Sequence, residues 1–112
     1  LAVAGVSRHG RGFGFQVWKH LQAKGIRAYA INPKATDILG EPAYASVADL
    51  PEPVGGVITV TPPASTVQIV RDCTEAGITR VWMQPGSECD EAVELARANG
   101  IQVSTGACML LL

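Results

Sequence analysis

"LAVAGVSRHGRGFG" (residues 1–14) has the pattern of a buried strand that passes through a glycine-rich loop into a helix. Its first six residues are almost all apolar, which is typical of a strand covered on both faces. Gly10, Gly12 and Gly14 allow the main chain to approach a ligand closely where the helix begins. The stretch therefore predicts the first strand–loop–helix unit of a parallel sheet, with an anion site in its loop.

The rest of the chain repeats this alternation. Strand-length apolar runs follow at 26–31, 54–60, 80–84 and 101–104. Helical patterns occupy 14–24, 66–76 and 88–99, with a short helical turn at 46–50. These elements predict an α/β fold, a doubly wound parallel five-stranded sheet with helices on both faces. We predict the strand order 3-2-1-4-5, with the ligand crevice at the carboxyl ends of the strands, beside strand one.

Helix ends and faces can also be predicted. Gly25, Gly77 and Gly100 are placed to end the three helices, and Ser65 is expected to cap the second helix in a capping box with Gln68. The third helix is expected to start after Ser87. Several apolar side chains fall at helical spacing and are predicted to face the core or the sheet: Val17, Trp18, Leu21, Val67, Ile69, Val70, Cys73, Val93, Leu95 and Ala96.

Composition limits the class of protein. The 112 residues suit one domain (1–112), and 47% hydrophobic residues are enough for a packed core. A net charge of −1 without a cationic run argues against a nucleic-acid partner, and neither a membrane span nor a signal peptide is indicated. Cys73, Cys89 and Cys108 lack CxxC spacing, which favours a reducing cytoplasm. A start without Met and an apolar end suggest that both termini are trimmed.

The loop after the first strand is the strongest candidate for binding phosphate. Gly5 permits a tight turn, Ser7 and nearby N–H groups can donate to phosphate oxygens, and Arg8 and Arg11 can add charged contacts. A dinucleotide fingerprint started at Gly5 fails because Ser7 stands at its second glycine, and no Gly-Lys-Ser/Thr follows for a Walker A loop. A glycine-rich surface loop is the alternative interpretation.

The turn after the second strand, Asn32-Pro33-Lys34, lacks the carboxylate that would hydrogen-bond a free ribose hydroxyl. A cation at this turn suits a phosphorylated ribose instead, as in NADP or coenzyme A. An ordinary exposed lysine explains the residue equally well. These residues alone leave NADP and coenzyme A tied.

Two further loops end strands at the same edge. "TPP" (61–63) is interpreted either as a rigid apolar wall of the ligand crevice or as an ordinary helix start. "QPGSE" (84–88) is interpreted either as part of the rim of that crevice or as an ordinary turn between a strand and a helix. No metal site is predicted, because His9 and His20 lack ligand spacing with Cys, Asp or Glu. No nucleophile–base–acid set can be assembled, so no catalytic residue is predicted.

Taken together, these motifs resemble the CoA-binding domain family, which includes small stand-alone CoA-binding proteins and the N-terminal domain of the succinyl-CoA ligase alpha subunit. The similarity runs along nearly the whole chain, through "AVAGVSR", "FGFQVWKHLQAKGIRAYAINPKATDILGEPAYASVADLP", "PVGGVITVTPP", "VWMQPGSE" and "ACM". It implies a Rossmann-like fold that binds CoA or acyl-CoA along the carboxyl edge, as a small-molecule ligand, and it leaves any protein partner open. The implied contacts are Gly5, Val6, Ser7 and Arg8 for the diphosphate, Asn32, Pro33 and Lys34 for the nucleotide phosphate, and Val60, Thr61, Pro62 and Pro63 along adenine and pantetheine.

Two other functions compete with this one. The first is an NADP- or NAD(H)-binding regulatory or redox-sensing module on a related domain. The second is an interaction domain whose nucleotide site is vestigial.

Overall fold

A computed structural model describes residues 1–106; Cys108 and the "ACM" segment (107–109) lie outside them. Three α-helices are present in this part of the chain: α1 Phe13–Ala23, α2 Pro63–Ala76 and α3 Asp90–Ala98. A 3₁₀ turn spans Val47–Asp49. The strands are β1 Ala2–Ala4, β2 Tyr29–Ile31, β3 Asp37–Ile38, β4 Glu41–Tyr44, β5 Val57–Thr59, β6 Arg80–Met83 and β7 Gln102–Ser104. Among these residues no helix is both long and apolar enough to cross a bilayer.

The strands form one sheet in the order β3-β4-β2-β1-β5-β6-β7. All neighbours are parallel except β3 and β4, which form an antiparallel hairpin at one edge. The α/β fold with a doubly wound sheet is confirmed, but within residues 1–106 the sheet has seven strands rather than five. Numbered in chain order, its six parallel strands have the Rossmann arrangement 3-2-1-4-5-6.

The predicted order is wrong in its third strand. The run 54–60 was placed at the edge beside the second strand, but β5 pairs with β1, where Ala4 lies opposite Thr59. The edge beside β2 is occupied by β4, with Ala30 opposite Ala43. Because β4 fills that position, β5 has to pair with the other side of β1, which creates the crossover point between β1 and β5.

The helices cover both faces of the sheet, as predicted. Alternate residues of β1 point to opposite sides, so Val3 packs with α1 whereas Ala2 and Ala4 pack with α2 and α3. The core on the α1 side is built around the fully buried Trp18, whose indole N–H donates to the Ala28 carbonyl at 2.8 Å. Burying these apolar side chains supplies most of the driving force for folding.

The helix ends agree with prediction at their carboxyl termini and differ at two amino termini. Gly25, Gly77 and Gly100 all have positive φ just after their helices. The Ser65 capping box is wrong: α2 begins at Pro63, because proline needs no N–H partner in the first turn. The Ser65 N–H instead donates to the Pro62 carbonyl at 2.9 Å. Helix α3 begins two residues later than predicted, with Cys89 as its extended N-cap.

Glu41 connects the edge hairpin to α1. Its carboxylate accepts hydrogen bonds from the Lys19 ammonium and from Gln22 Nε2, the latter at 3.0 Å. The hydrogen bond from Lys19 lowers the pKa of Glu41 below its ordinary value. A carboxyl group whose pKa is lowered by folding stabilises the protein above its unfolded pKa, and this contribution is lost as the pH falls through the folded pKa.

We therefore expect Glu41→Gln to reduce the free energy of unfolding near neutral pH by less than about 1 kcal/mol. The effect is small because the two side chains are 37 and 40% exposed. Urea denaturation over a pH series should show the difference between wild type and variant shrinking below about pH 4. Glu94→Gln, an exposed change on α3, is the control. A difference that stays constant down to low pH would contradict this role for the ion pair.

Candidate functional site

The carboxyl ends of the central strands meet at one level. Ala4 of β1 is in register with Ile31 of β2 and with Thr59 of β5, and Thr59 is in register with Met83 of β6. The four loops that leave these strands therefore emerge side by side along the same edge. These are the four loops that were predicted from the sequence to lie at this edge. In an open parallel sheet, ligands bind at the carboxyl ends of the strands.

Two glycines bring the first loop and helix α1 into close contact. At Gly5 (φ +99°) a Cβ would lie 2.2 Å from the Val60 carbonyl oxygen, and at Gly14 a Cβ would lie 2.2 Å from the Gly5 carbonyl oxygen. Only glycine fits at either point. As a result the amino terminus of α1, whose first N–H groups have no intrahelical acceptor, lies directly against the end of β1.

Asn32 joins the first two loops through its side-chain amide. Its Nδ2 donates to the Val6 carbonyl at 2.8 Å, and its Oδ1 accepts from the Lys34 N–H at 2.8 Å. Both ends of the amide are thus used inside the protein. Asn32 shapes the turn, and this explains in physical terms why an amide replaces the carboxylate expected in a dinucleotide site.

Asn32→Asp should therefore lower stability. The carboxylate cannot donate a hydrogen bond to the Val6 carbonyl, and it puts a negative charge next to that partly negative oxygen. This predicts a loss of about 1–3 kcal/mol in the free energy of unfolding. Chemical denaturation at neutral pH measures this loss. Asn99→Asp is the matched control, because the Asn99 amide donates to the Leu95 carbonyl at the same 2.8 Å distance but at an exposed helix end. Equal losses in the two variants would contradict the bridging role.

A cleft of about 420 Å³ opens between these loops and helix α2. We call it the edge cleft. Its apolar walls come from Val6, Ile31, Pro33, Val47 and Ile69. Its polar groups are Ser7, Asn32, Ser46, Thr61, Ser65, Gln68 and Asp72. A mostly apolar cleft with a few convergent polar groups is the usual form of a small-molecule site.

Three exposed cations, Arg8, Arg11 and Lys34, lie on the first two loops. Arg8 and Arg11 precede the amino terminus of α1 in the chain, and Asn32 connects the turn of Lys34 to the first loop. Positive charge together with free N–H groups of a helix end favours an anion such as phosphate. Ser7 accepts the His9 N–H on its hydroxyl at 3.1 Å, so the hydroxyl hydrogen remains able to donate.

A second, smaller depression of about 300 Å³ lies on the other side of Thr61. We call it the side crevice. Its lining residues are Phe13, Val60, Thr61, Pro62, Pro85, Gly86 and Ser87. Beneath it the Ser87 hydroxyl donates to the Gln84 carbonyl and pairs with the Thr59 hydroxyl, both at 2.8 Å. These contacts fasten the loop after β6 to the end of β5.

The model of the CoA binding domain family matches residues 1–112 of this sequence. The chain belongs to the CoA-binding domain family. The resemblance stated above is thereby confirmed over the whole length, and the Rossmann-like architecture of the fold agrees with it.

The chain is similar to part of a larger protein and to nearly the whole of a small one. The chain is 29% identical over 120 residues to the alpha subunit of ADP-forming acetate–CoA ligase II from Pyrococcus furiosus, covering 97% of this chain and 26% of that protein. It therefore spans about a quarter of that curated relative. A conserved hypothetical protein from Pyrococcus furiosus has a similar structure, with TM-score 0.91, 32% identity, and coverage of 98% of this chain and 95% of that one. A hypothetical protein from Pyrococcus horikoshii OT3 has TM-score 0.92 at 29% identity, with coverage of 98% and 78%.

The structure brings together some, but not all, of the residues that were predicted to contact CoA. The edge cleft contains Gly5, Val6, Ser7, Asn32, Pro33 and Thr61. The side crevice contains Val60, Thr61 and Pro62. Arg8, Lys34 and Pro63 are exposed and line neither. The edge cleft also contains residues that were not predicted to belong to the site: Ser46 and, on α2, Ser65, Gln68, Ile69 and Asp72. The helical period of α2 was the signal available for the α2 residues.

Proposed function

We propose that this chain binds coenzyme A, as free CoA or acyl-CoA, along the carboxyl edge of its sheet. The observation that carries the proposal is the close junction of β1 and α1 through Gly5 and Gly14. The exposed Lys34 lies on the neighbouring turn, which Asn32 connects to Val6. The membership of the whole chain in the CoA-binding domain family selects the ligand.

Each part of CoA has a matching group along this edge. The diphosphate is assigned to the main chain of Gly5–Arg8 and the amino terminus of α1, where N–H groups and the helix dipole favour negative charge. Lys34 is assigned to the ribose 3′-phosphate, because it follows directly on the turn that Asn32 fixes. The adenine is assigned to the apolar walls of the edge cleft. The loop of Val60, Thr61, Pro62 and Pro63 is assigned to the adenine and pantetheine portion, with Thr61 on the side of the edge cleft and Val60 and Pro62 in the side crevice.

That loop is held in place by its own hydrogen bonds. The Thr61 and Thr66 hydroxyls lie 2.8 Å apart. They connect the end of β5 to the first turn of α2. A wall fixed in advance loses little conformational entropy when a flat base stacks against it, and this favours binding.

An NADP-binding module is the competing function, because an exposed lysine suits a 2′-phosphate as well as a 3′-phosphate. Calorimetric titration of ligand-stripped protein with CoA, NADP and NAD separates the two. The proposal predicts the tightest binding for CoA and the weakest for NAD. Tighter binding of NADP than of CoA would reverse the assignment, and heat signals from none of the three would favour a vestigial site.

A further inference from the structure

We infer that the side crevice binds the acyl group of a short, uncharged acyl-CoA, and that Phe13 provides the preference for acyl-CoA over free CoA. This inference rests on the proposed function and specifies the form of the ligand.

The order of the strands gives the direction in which the ligand runs. The nucleotide phosphate is assigned to the turn after β2 and the diphosphate to the loop after β1. Strand β5 lies on the far side of β1, with β6 beyond it. An arm that continues away from the diphosphate therefore passes over the ends of β5 and β6. The side crevice, lined by Val60 and Thr61 after β5 and by Pro85, Gly86 and Ser87 after β6, lies in that path.

The chemistry of the side crevice favours an apolar end group. Phe13 is 52% exposed although it is a large aromatic residue, and the exposed rings of Pro62 and Pro85 lie around the same depression. None of its lining side chains in the described chain is charged. Single apolar side chains scattered over a surface are common and need no explanation. Phe13 differs from them because it lies beside the proposed ligand path, where a ligand that covers the ring removes apolar surface from water and gains binding free energy.

The polar side chains of the side crevice are occupied within the protein. The Thr61 hydroxyl pairs with Thr66, and the Ser87 hydroxyl is engaged with Thr59 and Gln84. A carboxylate placed here would lose hydration without gaining a charged partner. The crevice is thus suited to an acyl chain of a few carbons that carries no charge. Its volume of about 300 Å³ lies at the small end of the range for ligand sites.

Titration calorimetry with free CoA, butyryl-CoA and succinyl-CoA tests this directly. The two thioesters have the same number of acyl carbons and differ by one terminal carboxylate. Each fully buried methylene is worth about fourfold in affinity. We therefore expect butyryl-CoA to bind about 3- to 10-fold more tightly than CoA, and succinyl-CoA to bind no more tightly than CoA.

Phe13→Ala removes the ring and keeps the main-chain N–H at the amino terminus of α1. It should therefore remove the advantage of butyryl-CoA while leaving free CoA within about twofold. Ile26→Ala is the matched control, since Ile26 is another exposed apolar residue, 38% exposed, located before β2 at the opposite edge. This variant should keep the full advantage. Equal affinities of CoA and butyryl-CoA in the unmodified protein, or equal weakening of both ligands by Phe13→Ala, would overturn the inference.

The same titrations distinguish this inference from the proposed function. If CoA itself binds and loses affinity on Lys34→Ala, the proposed function stands whatever the acyl preference. If CoA binds without any gain from the butyryl group, the inference alone fails. If neither ligand binds, the proposed function fails, and the inference fails with it.

Discussion

Replacing Lys34 with alanine is expected to weaken the binding of CoA by about 10- to 100-fold. A hydrogen bond between an ammonium and a phosphate is worth about 1.5–3 kcal/mol, which corresponds to that loss in affinity. Lys34 is exposed and its main-chain N–H is fixed by Asn32 Oδ1 at 2.8 Å, so its side chain leaves a rigid turn. Dephospho-CoA lacks the 3′-phosphate and should bind the variant and the unmodified protein almost equally. Calorimetry with both ligands measures the contrast.

Lys24→Ala is the matched control for Lys34. Lys24 is also exposed but lies at the C-cap of α1, at the opposite edge of the sheet. Lys24→Ala should change the affinity for CoA very little, because the charge of Lys24 is far from the proposed phosphate sites and charges separated by more than about 10 Å are largely screened at ordinary salt. Equal losses for CoA and dephospho-CoA on Lys34→Ala would show that Lys34 does not contact the 3′-phosphate.

Gly5→Ala is expected to cause the largest loss of stability, about 2–5 kcal/mol in the free energy of unfolding. Two effects add. The backbone has φ of +99°, which disfavours a side chain, and the new Cβ would lie 2.2 Å from the Val60 carbonyl oxygen. The opposing atom belongs to the main chain at the end of β5, so it cannot move aside without disturbing the sheet. Urea denaturation provides the measurement.

Two other glycines separate these two effects. Gly12→Ala has a similar φ of +96° with open space around the Cβ, so it reports the backbone strain alone. Gly14→Ala meets the Gly5 carbonyl oxygen at 2.2 Å from within α1, so it reports the steric clash alone and tests the same junction if Gly5→Ala does not fold. A Gly5→Ala variant no less stable than Gly12→Ala would contradict the close packing of β1, β5 and α1.

The sequence predicted the helices and central strands well because their apolar spacing is regular and their ends carry glycine. It missed β4, whose four residues include Glu41 and Pro42 and bury only Ala43. That segment is a strand because β2 and β3 pair with its two sides, a tertiary effect that local preference does not show. The error in strand order followed from this omission, since the edge beside β2 was left open for the run 54–60.

The candidate site was predictable to the extent that it depends on topology. Loops at the carboxyl ends of parallel strands meet wherever the strands are in register, so the first two loops and Thr61 could be placed from the sequence. The α2 residues Ser65 and Gln68 were assigned to a capping box and instead line the edge cleft. The bridge from Asn32 to the Val6 carbonyl joins residues 26 positions apart, and only the folded chain shows it.

The most direct test of the central claim is a nuclear magnetic resonance titration of the ¹⁵N-labelled, ligand-stripped chain with CoA. Binding along the carboxyl edge predicts saturable shifts of the amide signals of Gly5–Gly14, Asn32, Lys34, Ala35 and Thr61. The amides of Gly25, Gly77 and Gly100, which follow the helices, should stay unchanged. Shifts concentrated around those three glycines, with the amides of Gly5–Gly14 unaffected at saturation, would contradict the account.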